Sequence, residues 1–360
     1  MSNPKVSVMF MSYNHGLYIQ RAMESVLNQT FQDFEIILSD DCSTDNTKEV
    51  ISKFNDQRLK INYFTENQGA TFNNQYIWKH SSGEYLALIN SDDVWLPEHL
   101  AKSIAYLEEN KDCGAVFSWA DLIDEDDKII DACCEAFCQP NRTQAEWAHH
   151  LFTNGNCLCH PSLVIRRKVY DEVGFYKLGF RQLPDYNMWT RMLNKYSLHI
   201  LEEVLVYHRR CIKTGQNTSA PIIQNSIRDV NESFYTAIHY FDNMPNELFK
   251  EAFKSLFRDE TSETTEELMC EKFFLFYDEK YYMKPVSKFA SFIYLQGIYD
   301  VGDIAGLLKK KYHFQLKDIY ELGASFDLVG LKQPSVLKQT ENQNSSKKSN
   351  LWSRIWKRGI

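Results

Sequence analysis

Residues 85–93 read Tyr-Leu-Ala-Leu-Ile-Asn-Ser-Asp-Asp, an apolar run that ends in four polar side chains. A short run that is apolar throughout is typical of a strand whose two faces are both covered by helices. Stretches with helical periodicity precede this run at 72–80 and follow it at 97–109. A strand between two helices indicates βαβ units and therefore a parallel sheet.

The same alternation extends outward over the first 120 residues. Further apolar runs of strand length lie at 6–12, 34–39, 59–64 and 115–119. Helical patterns lie between them at 18–28 and 47–54, which gives a repeat of roughly 25 residues, typical of strand–helix units. The sequence therefore predicts an α/β fold with a Rossmann-like, mostly parallel sheet flanked by helices.

The pattern changes after residue 222, where only helical periodicity remains. Residues 246–257 are amphipathic, and Thr264 with Glu267 forms the sequence signature of a capping box at a helix start. We therefore predict three segments. They are an α/β domain at 1–220, a helical domain at 221–330, and a basic flexible tail at 331–360.

The charge distribution separates the tail from the rest of the chain. The whole chain carries a formal net charge of −8, which argues against a nucleic-acid binder because phosphate neutralisation needs a basic face. Residues 331–360 nevertheless contain seven Lys or Arg against one acid. As a helix, 351–360 would gather Leu351, Trp352, Ile355 and Trp356 on one face, the pattern of a peripheral contact with an anionic membrane. A disordered basic end or a partner-docking helix fits this composition equally well.

The nine cysteines are odd in number and irregularly spaced, unlike those of a disulfide scaffold. Their spacing also lacks the paired Cys-x-x-Cys units of common zinc sites, so we expect free thiols. The chain contains no apolar run of roughly 18 to 20 residues that could cross a bilayer. These features favour a cytoplasmic protein.

Polar residues follow the first four predicted strands, where a parallel sheet binds its ligands. They are Ser12, Tyr13 and Asn14 after the first strand, Asp40, Asp41 and Ser43 after the second, Asn67 and Gly69 after the third, and Asn90, Ser91, Asp92 and Asp93 after the fourth. Carboxylates at such an edge can accept hydrogen bonds from ribose hydroxyls or a base imide. For the second cluster the alternative is simple helix capping by Ser43 or Asp45.

Asp92 and Asp93 form the most informative of these clusters. Adjacent carboxylates repel each other, and a hard divalent cation that also binds phosphate oxygens relieves that repulsion. A diphosphate with Mg²⁺ or Mn²⁺ would complete such a site. The alternative is a solvated turn in which one Asp caps the next helix.

Together these residues resemble the inverting family 2 glycosyltransferases of the GT-A fold, over about residues 4–220. The segments that carry the resemblance are Val6 to Asn14, Ser39 to Asp45, Asn67-Gln68-Gly69, Asn90 to Asp93, His160-Pro161-Ser162 with Arg166-Arg167, and Leu183 to Arg191. Six such motifs in the expected order make the resemblance specific.

The resemblance implies a role for each residue. Asp185 would be the catalytic base, although it could also simply cap a helix. Asp92, Asp93 and His208 would form the metal site for Mn²⁺ or Mg²⁺. The nucleotide would contact Ser12, Tyr13, Asn14, Asp40, Asp41, Ser43, Asn67, Gly69, Asn74, Asn90 and Ser91, while His160, Trp189 and Arg191 would face the sugar and the acceptor.

The resemblance also implies the reaction. A nucleotide-diphosphate sugar, with UDP-sugars favoured, would donate to a saccharide or lipid-linked acceptor in the synthesis of surface polysaccharide or glycoconjugate. The enzyme would then work in the cytoplasm at the inner face of the membrane.

The sequence departs from the family pattern at several positions. Asn90 replaces the first acid of the metal motif, Pro184 and Asn187 replace acids beside Asp185, and Cys211 stands where His is common. These departures keep open the alternative of a non-catalytic subunit that binds sugar nucleotides or serves as a scaffold.

Overall fold

The structure, a computed structural model, describes residues 3–211 and 222–326. Within these ranges the chain forms two compact units. Unit 1 contains residues 3–144, 157–211 and 222–232, and unit 2 contains 145–156 and 233–326. The predicted basic tail at 331–360 lies outside the described residues.

One sheet forms the centre of unit 1. Its strands in chain order are β1 Val6–Ser12, β2 Phe34–Asp40, β3 Leu59–Tyr63, β4 Tyr85–Asn90, β5 Val94–Trp95, β6 Cys113–Ile123, β7 Ile129–Asp131, β8 Val164–Arg166 and β9 Ser197–Arg209. The strand order is β3-β2-β1-β4-β8-β6-β9-β5, with β7 paired to β6. Strands β3, β2, β1 and β4 pair in parallel, as do β6 and β9, whereas β5, β7 and β8 pair antiparallel.

Helices follow most of the strands. In chain order they are α1 Ile19–Leu27, α2 Thr47–Ile51, α3 Ala70–His80, α4 His99–Glu109, α5 Gln144–Asn154, α6 Arg167–Val173, α7 Pro184–Met192, α8 Ile223–Ile238, α9 Asn246–Phe253, α10 Thr265–Tyr277, α11 Lys284–Ile298, α12 Ile304–Lys310 and α13 Leu316–Ala324. The predicted α/β architecture with a C-terminal helical region is confirmed.

The core of unit 1 lies between the sheet and its helices. Val8 and Phe10 of β1, together with Ile36 of β2, are buried in one cluster with Met23 of α1 and Leu107 of α4. Each such side chain contributes about 1.5–3 kcal/mol by leaving water. This core explains why β1 and β4 read as continuous apolar runs, since both of their faces are covered.

The register of the sheet brings the ends of three strands together. Ser12 at the end of β1 lies opposite Asp40 at the end of β2, and Met11 lies opposite Asn90 at the end of β4. The polar residues that follow these strands therefore share one edge of the sheet.

Aromatic side chains dominate the core of unit 2. The Phe152 ring contacts the rings of Tyr240, Phe241, Phe253, Phe276 and Tyr281 at centroid distances between 5.0 and 5.3 Å. Helix α10 opens with the predicted capping box, in which Thr264 Oγ1 accepts from the N–H of Glu267. In the described part of unit 2 every regular element is helical.

The cysteines differ in part from the prediction. Cys133 and Cys138 form a disulfide with their Cα atoms 5.6 Å apart, so the expectation of free thiols is wrong for this pair. The turn between β7 and α5 brings the two residues together, which their irregular spacing did not indicate. The other seven cysteines form no disulfide.

Among the described residues, no helix combines the length and the apolar character that crossing a membrane requires.

Candidate active site

The carboxylates after β2 hold the loops of the sheet edge in shape. Asp40 accepts from the backbone N–H of Ser43 at 2.9 Å and also from its hydroxyl. Asp41 accepts from the N–H groups of Gln68 at 2.7 Å and Gly69 at 2.9 Å. Both carboxylates are buried. Asp40 and Asp41 therefore shape the edge of the sheet where we predict nucleotide binding, and they do so through hydrogen bonds to the protein itself.

Asn67 and Gly69 complete the connection between β3 and α3. The Asn67 amide donates to the carbonyl of Asp41 at 3.3 Å. Gly69 has a φ of 84°, a left-handed conformation that only glycine adopts without strain, and its N–H faces Asp41. The predicted second and third clusters are therefore in direct contact.

The loop after β1 contacts the loop after β2. The N–H of Asn14 donates to Ser43 Oγ at 2.8 Å, and Asn14 Oδ1 accepts from the N–H of Thr44 at 2.8 Å. Asn14 has a φ of 52°, which Asn tolerates better than most residues. The neighbouring Tyr13 leaves 44% of its surface exposed and offers an aromatic face at this edge.

Several buried polar atoms at the same edge lack a partner within the described residues. Ser12 Oγ and Asn74 Oδ1 are among them. Ser12 ends β1, and the Asn74 amide lies 3.5 Å from the sulfur of Met11 on that strand. Buried polar groups are nearly always hydrogen-bonded, so these atoms fit a polar ligand.

Asp93 is buried completely, and its carboxylate accepts three hydrogen bonds. The donors are Asn90 Nδ2 at 2.9 Å, His208 Nδ1 at 2.8 Å and the N–H of Arg209 at 2.9 Å. Burial alone would raise the pKa of Asp93, but His208 and these hydrogen bonds hold it below the usual value. Asp93 therefore joins the end of β4 to the end of β9.

Asp92 has a different environment. Burial and the adjacent charge of Asp93 raise the pKa of the Asp92 carboxyl above its usual value. The His15 imidazole lies nearby, with its Nδ1 3.8 Å from Asp92 Oδ1 and 2.8 Å from Ser91 Oγ. Asp92 is thus a carboxylate whose negative charge the protein balances poorly.

This environment fits a divalent cation at Asp92. A cation would balance the combined charge of the Asp pair, and oxygen is the ligand that Mg²⁺ and Mn²⁺ prefer. The Nδ1 atom of His208 already faces Asp93, so His208 could bind a cation only through Nε2. In the part of the chain that the structure describes, no three His, Cys, Asp or Glu side chains converge as a complete metal site.

Asp185 lies in the first turn of α7, directly after Pro184. Its charge and that of Asp93 both act on His160, and both oppose the lowering of the His160 pKa by burial. His160 Nε2 is hydrogen-bonded to the Tyr176 hydroxyl at 2.8 Å. The charges of the predicted base and of Asp93 therefore both reach the same imidazole.

Trp189 and Arg191 lie on the same helix as Asp185. The buried Trp189 ring lies 6.1 Å from the His160 ring, and its indole N–H has no hydrogen-bond partner in the described residues. Arg191 donates to the carbonyls of Val173 at 2.7 Å and Phe175 at 2.9 Å. Arg191 thus holds the segment between α6 and α7, whereas Trp189 lies beside His160.

The family model "Glycosyl transferase family 2" matches residues 7–174, a range that contains all four strand-end clusters. Residues 7–174 of this chain are therefore similar to glycosyl transferase family 2. The predicted glycosyltransferase class is confirmed by this match and by the relatives below. Asp185 and His208 lie beyond the matched range, so their roles stay predictions.

Two relatives show the extent of the similarity. An uncharacterized glycosyltransferase of Nostoc sp. is 35% identical over 47% of this chain and 53% of its own length. The UDP-Glc:alpha-D-GlcNAc-diphosphoundecaprenol beta-1,3-glucosyltransferase of Escherichia coli is 29% identical over 53% of this chain and 70% of its own length. The chain thus spans about half of the first relative.

The solved structure of TarS residues 1–349 from S. aureus, in complex with UDP-GlcNAc, superposes with a TM-score of 0.58 at 18% identity. The superposition covers 88% of this chain and 89% of that chain. It confirms the predicted GT-A fold.

Sequence analysis missed two side chains of the site. His15 directly follows Asn14 in the sequence, and its imidazole approaches both Ser91 and Asp92. The buried Arg209 donates from Nε to the carbonyl of Asp92 at 2.8 Å, and its guanidinium lies over the Tyr18 ring. The position of Arg209 beside His208 in the sequence was the available signal.

The departures from the family pattern are accommodated inside the protein. Asn187 Oδ1 accepts from Arg191 Nε at 3.1 Å. The buried Cys211 thiol lies 3.9 Å from the Tyr18 hydroxyl, and burial raises its pKa. Of the two histidines on β9, His208 lies at the end of the strand nearest Cys211.

Proposed function

We propose that this protein transfers a sugar, with inversion, from a nucleotide-diphosphate donor to a hydroxyl of a saccharide or lipid-linked saccharide. A UDP-sugar is the proposed donor class, and the product would belong to a surface polysaccharide or glycoconjugate. The E. coli relative, a UDP-Glc:alpha-D-GlcNAc-diphosphoundecaprenol beta-1,3-glucosyltransferase, supports both choices.

The observation that carries the proposal is the contrast between Asp92 and Asp93. Asp93 is satisfied by three hydrogen bonds, whereas burial and the Asp93 charge raise the pKa of Asp92. Asp92 would hold Mn²⁺ or Mg²⁺, with His208 Nε2 nearby. When bound, the cation neutralises the diphosphate leaving group and acts as a Lewis acid.

The residues of the chain would perform the remaining steps. Asp185 accepts the proton of the acceptor hydroxyl while that oxygen attacks the anomeric carbon from the face opposite the diphosphate. The bond between the anomeric carbon and the diphosphate oxygen breaks in the same displacement, which inverts the configuration. A positioned base of this kind contributes about 10² to 10⁴ in rate.

The strand-end loops would bind the nucleoside. Ser12 Oγ and Asn74 Oδ1 are buried atoms that can hydrogen-bond a ligand, and the exposed Tyr13 ring can stack on a base. Asp40 and Asp41 would act mainly by shaping these loops, since both already accept hydrogen bonds from the protein.

The tail at 331–360 supports a separate proposal on location. Its seven basic residues against one acid would hold the enzyme at the anionic inner face of the membrane. Deleting 343–360 should reduce binding to anionic liposomes and leave turnover of soluble substrates unchanged. Equal liposome binding by the shortened chain would refute this role.

A donor screen tests the proposed function. UDP-, GDP- and dTDP-sugars are tested for thermal stabilisation of the protein and for nucleotide release, in Mn²⁺, in Mg²⁺ and in EDTA. We expect stabilisation and release with a UDP-sugar only when a cation is present. Stabilisation without release by any donor would favour the non-catalytic alternative, and no effect of any nucleotide would refute both.

A further inference from the structure

Three backbone N–H groups before α7 point at a single carboxylate. The N–H of Arg181 donates to Glu232 Oε1 at 2.8 Å, and those of Gln182 and Leu183 donate to Oε2 at 2.8 and 2.7 Å. Glu232 lies on α8, 50 residues from Gln182 in the sequence. One side chain therefore fixes three consecutive peptide groups.

Glu232 has only 6% of its surface exposed. A buried carboxylate is costly unless hydrogen bonds replace its water, and charge-assisted bonds to backbone N–H groups are stronger than neutral ones. The three peptide donors stabilise the charge of Glu232, and the charge in turn stabilises the conformation of residues 181–183. Without Glu232 the three N–H groups would lose this acceptor, and without them the buried carboxylate would lose these donors.

The loop at 180–183 is also hydrogen-bonded to α3. The Thr71 hydroxyl donates to the carbonyl of Phe180 at 2.7 Å. Thr71 lies in the first turn of α3, just after Gly69, whose N–H binds Asp41 at the nucleotide edge. Residues 180–183 therefore connect the loops proposed to bind the nucleotide with the first turn of α7, where Asp185 lies.

We propose that Glu232 is a positioning residue for Asp185. This inference rests on the proposed function, in which Asp185 is the base. Only Pro184 separates Leu183 from Asp185, and the proline ring fixes one backbone torsion there. A displacement of the Leu183 peptide therefore moves the carboxylate of Asp185 relative to the acceptor hydroxyl.

Glu232 would affect the orientation of Asp185 and not the binding of the sugar-nucleotide donor. A misplacement of about 1 Å at a reacting group can lower the rate 10²-fold. Loss of Glu232 should therefore lower kcat and leave the KM for the donor nearly unchanged, because the nucleotide contacts lie on other loops.

The test compares Glu232→Ala with Gln224→Ala, which shortens an exposed polar side chain on the same helix. Amide hydrogen exchange of residues 181–183 is measured together with UDP release from UDP-GlcNAc or UDP-glucose. We expect faster exchange and a kcat lowered about 10- to 100-fold in Glu232→Ala alone. Unchanged exchange, or faster exchange with unchanged kcat, would overturn the proposal.

Two further variants separate positioning from a general loss of structure. Glu232→Gln keeps the shape and one acceptor oxygen, so its kcat should lie between those of wild type and Glu232→Ala. The double variant Glu232→Ala with Asp185→Asn should be no slower than Asp185→Asn alone, because both changes impair one base. A further drop in the double variant would contradict the role.

The hydrogen-exchange readout does not depend on catalysis. If wild-type protein releases no UDP from either donor while binding UDP, the proposed function fails and the positioning of a base fails with it. If wild type is active and Glu232→Ala retains its kcat, only the inference about Glu232 fails.

Discussion

The carboxamide of Asn90 donates from Nδ2 to Oδ2 of Asp93 at 2.9 Å. Asp93 is buried, and its other oxygen accepts from His208 Nδ1 and from the N–H of Arg209. An aspartate at position 90 could not donate this bond and would add a third negative charge. The departure of Asn90 from the family pattern therefore stabilises Asp93 in the absence of a cation.

This relationship predicts the behaviour of Asn90→Asp. The variant loses the donor to Asp93, which we expect to cost about 1–3 kcal/mol, so its Tm in EDTA should fall. Because the added carboxylate can bind a cation, Mn²⁺ should raise the Tm of the variant more than that of wild type. Thermal denaturation with and without Mn²⁺ measures both effects. Asn55→Asp, at an exposed position, is the control, and equal Mn²⁺ shifts for all three proteins would contradict the prediction.

Removal of the Asp92 charge should affect nucleotide binding more than stability. In Asp92→Asn the cation loses its proposed carboxylate, so the Kd for UDP in Mn²⁺ should rise about tenfold or more, while the Kd in EDTA changes little. Isothermal titration under both conditions measures the difference. The exposed Asp112→Asn should behave as wild type. Equal titrations of Asp92→Asn and wild type in Mn²⁺ would refute the cation role.

Local patterns predicted much of unit 1. The apolar run at 6–12 coincides with β1, and the run that begins at Tyr85 coincides with β4, which includes Asn90, the first of the polar residues that follow the run. An apolar run followed by polar residues defines a buried strand without reference to distant parts of the chain. The strand-end clusters were predictable for the same reason, because parallel strands end at one edge of a sheet.

Contacts between distant segments were not predictable. The run at 115–119 extends to Cys113–Ile123 in β6, because pairing with β9 adds residues that are not continuously apolar. The contacts of Glu232 and Arg209 depend likewise on segments brought together by the fold. The Cys133–Cys138 disulfide needs a turn geometry that spacing alone does not specify.

Asp229 should make stability depend on pH. Burial, followed by the charge of Glu232, raises the pKa of Asp229 from 3.8 to about 6. The folded state therefore binds this proton more tightly than the unfolded state. The resulting stabilisation is complete below the unfolded pKa and is lost as the pH rises through about 6.

Asp229→Asn removes this dependence. The variant should have a higher Tm than wild type near pH 8. Below the unfolded pKa of 3.8, where the carboxyl is protonated in both the folded and the unfolded state, the two Tm values should be close. The exposed Glu251→Gln serves as the control for the loss of one acid. A Tm difference that is the same at both pH values would show that Asp229 does not titrate with folding.

Asp185→Asn tests the proposed base directly. The amide keeps the shape of the side chain in the first turn of α7 but cannot accept a proton from the acceptor hydroxyl, so kcat should fall about 10² to 10⁴-fold. The Kd for UDP should stay within a few-fold, because the strand-end loops that would bind the nucleotide are untouched. Single-turnover rates and UDP titrations measure the two quantities, with the exposed Asp171→Asn as control. Undiminished turnover would remove Asp185 from the chemistry, whereas a parallel loss of turnover and UDP binding would mean that the substitution disturbs the loop that Glu232 holds.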